Sequence, residues 1–175
     1  MNSEQQQTSL KPSWLRTAVL GRHPRRTLLR AATLVATCFV VFRFILLPVQ
    51  VRGGSMWPTY KDKSWNFANR LSYLWQSPQR GDVVCVQFTA GRHVMLLKRI
   101  VALPGDTVAF RGGRLFVNGQ PVPEPYVKTD CDWEEAEQRL GPGEYYVVGD
   151  NRGMPAEDHW HGVADDWRIV GKVLL

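Results

Sequence analysis

Apolar positions fall into one long run near the N-terminus and a series of short runs after it. The long run is unbroken from Ala31 to Phe42, meets Arg43, and resumes through Phe44-Ile45-Leu46-Leu47-Pro48-Val49. About 20 helical residues at 1.5 Å each cross a bilayer core, so the pattern predicts a transmembrane anchor over 31–51. Arg43 is costly at a helix centre, but its long side chain can snorkel to an interface.

The short runs have the period of strands and are punctuated by Gly and Pro. They cover Asp82 to Phe88, Val94 to Val101, Thr107 to Phe110, Leu115 to Val117, Tyr145 to Val148 and Arg168 to Val173. Arg111-Gly112-Gly113-Arg114 and Asn118-Gly119 read as hairpin turns. Glu134 to Leu140 alone looks helical beyond the anchor, and the acidic stretch from Tyr126 to Gly141 reads as an excursion. The pattern therefore predicts a mainly β protein, an antiparallel sheet or barrel behind one N-terminal helix. Three regions follow: a basic tail over 1–30, the anchor over 31–51, and one β-domain over 52–175.

Charge sharpens this organisation. The net +6 resembles that of a nucleic-acid binder, but residues 1 to 30 hold six of the cations and a single acid, leaving the β-domain almost neutral. A basic flank before an apolar span stays cytoplasmic, so the β-domain is expected outside, at the cell membrane, with no nucleic acid as partner. Arg25-Arg26 before the apolar run has a twin-arginine look. No small-x-small site follows Leu47, however, so an uncleaved anchor is the better reading.

Residues 1 to about 13, with three consecutive glutamines, read as a disordered tail. Cys38, Cys85 and Cys131 lack metal-ligand spacing. Cys38 and Cys85 read as small apolar residues, with a Cys85–Cys131 disulfide as the alternative in an oxidising compartment. No metal or organic cofactor is expected. Trp57, Trp65, Phe67, Tyr73 and Trp75 follow soon after the span, which fits either headgroup contact or a core.

Ser55 stands in Gly53-Gly54-Ser55-Met56-Trp57-Pro58-Thr59, directly after the apolar segment. A serine hydroxyl needs a base to become nucleophilic. His93, His159 and His161 are candidate bases, the last two the better ones, whereas His23 precedes the anchor. The G-x-S-x-G elbow is absent. Lys98 is the other choice: Val94-Met95-Leu96-Leu97 precedes it and Arg99-Ile100-Val101 follows. Alternation sets it on a face with Leu96 and Ile100, where desolvation would favour the neutral amine, and turns Arg99 the other way. A serine after two glycines is usually a turn residue and a strand lysine usually solvated, so neither signal stands alone.

Together they resemble the type I signal peptidases, membrane-anchored Ser/Lys endopeptidases. Gly54-Ser55-Met56-x-Pro58-Thr59 matches the nucleophile motif, and Arg80-Gly81-Asp82-Val83-Val84 the next. Lys98-Arg99-Ile100-Val101-Ala102-Leu103-Pro104-Gly105-Asp106 matches the lysine motif. Gly149-Asp150-Asn151-Arg152, with Gly162 beyond, matches the last.

The resemblance implies Ser55 as nucleophile and Lys98 as general base. Gly53, Gly54 and Met56 would lie at the oxyanion hole and substrate cleft. Pro58, Arg99, Asp150, Asn151, Arg152, Glu157 and His159 would support the site. The substrates it implies are exported preproteins with small residues at the first and third positions before the cut, and the second partner is the lipid bilayer. A peptidase with one dedicated substrate and a weakly active peptide-binding paralogue are the alternatives.

Two departures stand out. Gly53 replaces a serine whose hydroxyl assists the oxyanion hole in many members. Pro155, Glu157 and His159 stand where a lysine-orienting serine and an Asp/Arg ion pair are usual, so the sequence suggests a Glu157–His159 pair in its place. A shifted alignment would put Asp158 in the acidic position.

Overall fold

The computed structural model describes residues 24–87 and 95–174, and the chain divides into two units, residues 1–41 and 42–175. In the first, helix α1 (Pro24–Val40) opens on a proline, whose missing N–H costs nothing at a first helical position. A π-helical turn, Val41–Ile45, extends the helical path. Arg25–Ile45 gives 21 residues of mean hydropathy 1.9 with no burial, long and apolar enough to cross a membrane. Arg43 lies in its last turn rather than at its centre.

The helical path ends earlier than the apolar pattern suggests, because Pro48 disfavours helical backbone in the residue before it. Leu46–Gln50 is strand β1 and pairs antiparallel with β2 (Trp65–Asn69). The helical segment is thus 24–45 rather than 31–51, and the β-domain begins with residues that hydropathy assigned to the anchor. Arg70 satisfies the end of the turn: its N–H donates to Ile45 C=O at 2.8 Å and its guanidinium to Arg43 C=O at 3.2 Å.

All pairing among the described residues of the second unit is antiparallel. The larger sheet has the order β1-β2-β11-β3-β4-β9-β10, with β3 Val83–Gln87, β4 Met95–Ala102, β9 Glu144–Val148, β10 Gly162–Asp165 and β11 Ile169–Leu174. The smaller has the order β7-β6-β5-β8, with β5 Thr107–Arg111, β6 Arg114–Val117, β7 Gln120–Pro121 and β8 Glu135–Arg139. The segment that looked helical is therefore strand β8, held by pairing with β5. Both expected hairpin turns form. Gly112 and Gly113 take φ of +53° and +70°, the left-handed pair that a two-residue β-hairpin requires.

Strand β3 is buried on both faces, which explains its continuous apolar run. Val83 and Cys85 join a cluster with Val49, Met56, Ala68 and Leu97, while Val84 and Val86 join Ile100, Tyr145, Val147 and Ala164 on the other face. A third cluster, around Phe110, Leu115, Trp133 and Tyr146, fastens the smaller sheet to β4 and β9. Cys85 is a fully buried free thiol, its pKa pushed up to about 12 by desolvation, and Cys131 is also free. Trp57, Trp65, Phe67 and Trp75 are exposed, and of the five early aromatics Tyr73 alone packs on a core cluster.

Candidate active site

Lys98 occupies the middle of β4 opposite Val84, on the face of Ile100. It is 1% exposed and makes no ion pair among the described residues. Burial pulls its amine down to about 7, against an opposing pull from the Asp150 carboxylate. Arg99, one residue on, faces the other way. It makes a two-pronged contact with Asp150 at 2.8 and 2.7 Å, donates to Gly81 C=O at 2.8 Å, and lies 4.0 Å from the Tyr126 ring centre.

Ser55 stands in the loop between β1 and β2. The loop is closed at its base by Val51 N–H to Ser64 C=O and Lys63 N–H to Val51 C=O, both 2.9 Å. Three hydrogen bonds tie it to the segment after β9, one of them from Asn151 Nδ2 to Gly54 C=O. Asn151 N–H donates to Ser55 C=O at 2.9 Å, and the Thr59 hydroxyl donates to Asp150 at 2.5 Å. Asp150 is wholly buried, so one carboxylate joins the Ser55 loop, through Thr59, to β4, through Arg99. Gly149 permits this closeness: a Cβ there would collide with the Ser55 carbonyl oxygen and the His159 ring.

Lys98 sits near that junction, since its charge helps to depress the His159 imidazole. No hydrogen bond joins Ser55 Oγ to Lys98 Nζ, and neither atom bonds to another described residue. Such contacts commonly tighten only when substrate arrives.

Gly53 has φ +90°, and its N–H is taken by Asp62 at 2.9 Å. Gly54 C=O accepts from Trp57 N–H at 3.1 Å and Asn151 Nδ2 at 3.0 Å. Ser55 N–H donates to none of the described residues. Met56, expected at the cleft, is 1% exposed and packs instead into the core with Val83, Cys85 and Leu97. Pro58 follows a cis peptide bond.

The substituted part of the last motif departs most from expectation. Pro155, Glu157 and Asp158 are exposed, and no hydrogen bond or ion pair joins Glu157 or Asp158 to His159. His159 is instead 1% exposed. Its Nε2 accepts from Gly149 N–H at 2.9 Å, and its Nδ1–H donates to Asn151 C=O at 3.0 Å. Burial first, then Lys98 and His161, lower its pKa to about 3, so it is neutral.

With both ring nitrogens engaged it has no free base. His161 is also committed, to Glu135 and to His159 C=O, and it stacks on Trp133 with ring centres 4.6 Å apart. Burial would lower its pKa, but the Glu135 and His159 hydrogen bonds together raise it. Neither histidine is placed to serve as the serine's base. His93 and His23 lie outside the described residues.

Two features escaped the sequence. Arg152 is 1% exposed, paired with Glu124 and bonded to Gly149 C=O at 2.8 Å. A buried arginine demands an acid, yet nothing in the local pattern around Glu124 singles it out among the sixteen acids.

The second is a cleft of about 400 Å³ lined by residues 47–50, Arg52 and Met95, Leu96 and Leu97. Among the described residues strand β1 pairs only with β2, and pairing of β4 with β9 begins at Arg99, so both walls are strands with an edge that no described residue pairs. One wall leads directly into Lys98 and the other, through Gly53 and Gly54, into Ser55.

Comparison with known proteins identifies the family. The family described as signal peptidase, peptidase S26, matches residues 25–175. Signal peptidase IB of Staphylococcus aureus is 31% identical over 153 residues, covering 77% of this chain and 79% of that one. Signal peptidase I of Leptolyngbya laminosa is 29% identical over 128 residues, covering 69% and 63%. A crystal structure of a signal peptidase I from Enterococcus faecalis V583 overlays with a TM-score of 0.46 at 23% identity, covering 57% of this chain and 98% of that one. A family match over residues 25–175 and a relative 31% identical over most of both chains place this protein in the signal peptidase family, peptidase S26.

Proposed function

We propose that this chain is a membrane-anchored signal peptidase that works through a Ser55–Lys98 pair and a covalent acyl-enzyme. The observation that carries this reading is the Lys98 amine. It is buried, unpaired with any described acid and drawn down to about 7, on the strand that lines the cleft. An amine in that state is half neutral at working pH and can take a proton.

An extended signal peptide laid in the cleft would meet the free edges of β1 and β4 and hydrogen-bond to both as an added strand. Its scissile carbonyl is then carried towards Ser55. Neutral Lys98 Nζ removes the hydroxyl proton as Oγ bonds to the carbonyl carbon, and Ser55 N–H receives the oxyanion. The ammonium returns the proton to the leaving nitrogen, the C–N bond breaks, and the mature protein departs. The restored amine then deprotonates a water, which attacks the ester, releases the signal peptide and regenerates the serine. Shallow apolar walls suit small residues before the cut.

Arg25–Ile45 supplies the anchor, at about 31 Å for 21 residues. The basic residues before it set the N-terminus in the cytoplasm and the β-domain outside. Exposed Trp57, Trp65 and Trp75 suit the headgroup region. The test is to incubate detergent-solubilised wild type, Ser55→Ala and Lys98→Ala with a model preprotein and to locate the cut by mass spectrometry. One cut after a small-x-small sequence is expected from the wild type and none from either variant. Turnover by either variant refutes the pair.

A further inference from the structure

With glycine at position 53, the oxyanion depends heavily on one backbone donor, Ser55 N–H. Its direction is set by the plane of the Gly54–Ser55 peptide. That bond is trans, so its C=O and N–H point in opposite directions. Whatever holds Gly54 C=O therefore aims Ser55 N–H.

The structure shows what holds it. Asn151 Nδ2 donates to Gly54 C=O at 3.0 Å, and Asn151 N–H donates to Ser55 C=O at 2.9 Å. One residue thus grips the carbonyls on both sides of the nucleophile's N–H. Asn151 is itself held from behind, because its C=O accepts from His159 Nδ1–H at 3.0 Å. His159 Nε2 takes Gly149 N–H at 2.9 Å, so the imidazole spans the loop that presents Asn151. Only a neutral imidazole can donate at one nitrogen and accept at the other, and a carbonyl at Nδ1 with an N–H at Nε2 selects the Nδ1–H tautomer.

We propose that Asn151 and His159 form a positioning clamp that aims the Ser55 N–H at the oxyanion, with Asn151 in direct contact with the peptide and His159 fixing Asn151. The proposal rests on Ser55 as nucleophile. Neither residue touches the reacting atoms, and the clamp's contribution is orientation: a hydrogen-bond donor set in advance needs no reorganisation as charge develops.

The test uses the full-length enzyme in detergent and two forms of one preprotein, with an ordinary amide or a thioamide at the scissile bond. Sulfur is larger than oxygen and a poorer hydrogen-bond acceptor, so a well-aimed donor makes the enzyme strongly prefer the amide. Removing one oxyanion donor costs about 100- to 1000-fold, so Asn151→Ala, which misdirects a donor that remains, should lower kcat about 10- to 100-fold. KM should stay close to the wild-type value. The amide-to-thioamide rate ratio should fall several-fold, and the acid limb of the pH profile should stay where it was, because the amine is untouched. His159→Gln should move kcat and the ratio the same way by a smaller factor.

A variant that is merely less folded loses both substrates equally and leaves the ratio intact. An unchanged ratio in a slowed variant, or wild-type kcat, overturns the clamp. If Asn151→Ala does not fold, Asn151→Ser keeps the backbone bond, loses the side-chain bond and gives the same reading. Turnover by Ser55→Ala would instead defeat the underlying Ser/Lys reading, an outcome distinct from any result on the clamp.

Discussion

Lys98 and Arg99 are neighbours on one strand, both cations, and the fold treats them oppositely. Arg99 meets a buried carboxylate in two hydrogen bonds, whereas Lys98 lies opposite Val84 on the face of Ile100, with no acid bonded to it among the described residues. Alternation alone separates them, because successive strand residues face opposite sides. The same burial that leaves one charge intact through pairing removes the other through desolvation. What Lys98 does thus depends on Asp150 being occupied by Arg99.

The most severe way to break the contrast is Lys98→Arg. Guanidinium cannot lose its proton at any pH at which proteins survive. Preprotein cleavage should fall by the full contribution of a general base, about 100- to 10,000-fold, while peptide binding persists. For the wild type, kcat/KM should rise with pH through about 7 as the amine loses its proton. A profile flat from pH 5 to 9 would count against Lys98 as base.

Asp150→Asn attacks the other member. It leaves Arg99 buried without its carboxylate, and breaking a buried pair from one side costs about 3 to 5 kcal/mol. The midpoint of chemical denaturation should drop accordingly. Asp150 also raises the Lys98 pKa, so in whatever fraction stays folded the acid limb should move to lower pH. A limb displaced upward would contradict the assigned direction.

Lys98→Met sharpens the comparison from the side of stability. The folded pKa of Lys98 lies below its ordinary value of 10.5, so between about 7 and 10.5 the unfolded chain holds a proton that the folded chain has given up. Stability therefore rises with pH across that window, and below it the buried amine is a standing cost of about 5 kcal/mol. The inactive methionine variant should be the more stable protein at pH 6, with the gap closing towards pH 10. Equal stability at both pH values would mean that Lys98 is well solvated.

Much of this was legible in the residues. Lys98 declared itself by an apolar setting on a strand of period two, and the hairpins by their glycines. The limits were equally physical. Leu46–Gln50 is apolar enough to read as membrane-spanning, and only pairing with β2 shows that it walls a cleft. Glu135–Arg139 has helical propensity overridden by the edge of β5. Glu124 is 28 residues from Arg152, a distance at which no periodicity operates. Met56 was expected at the cleft on the strength of the family resemblance, yet the turn sends its side chain to the core.

The smallest predicted effect concerns the altered motif. A single 3₁₀ turn, Ala156–Asp158, points Glu157 outward and delivers His159 inward, so two residues suggested as partners reach opposite environments. Glu157→Ala removes an exposed side chain with no hydrogen bond or ion pair among the described residues. It should change stability by no more than about 0.5 kcal/mol and leave the pH profile in place. A loss of activity comparable to that of His159→Gln would mean that the two side chains do act together when substrate is bound. The expected disparity instead makes His159 a replacement for the usual charged pair: a neutral ring bonded to backbone, which needs no acidic neighbour and sets no second cation beside Lys98.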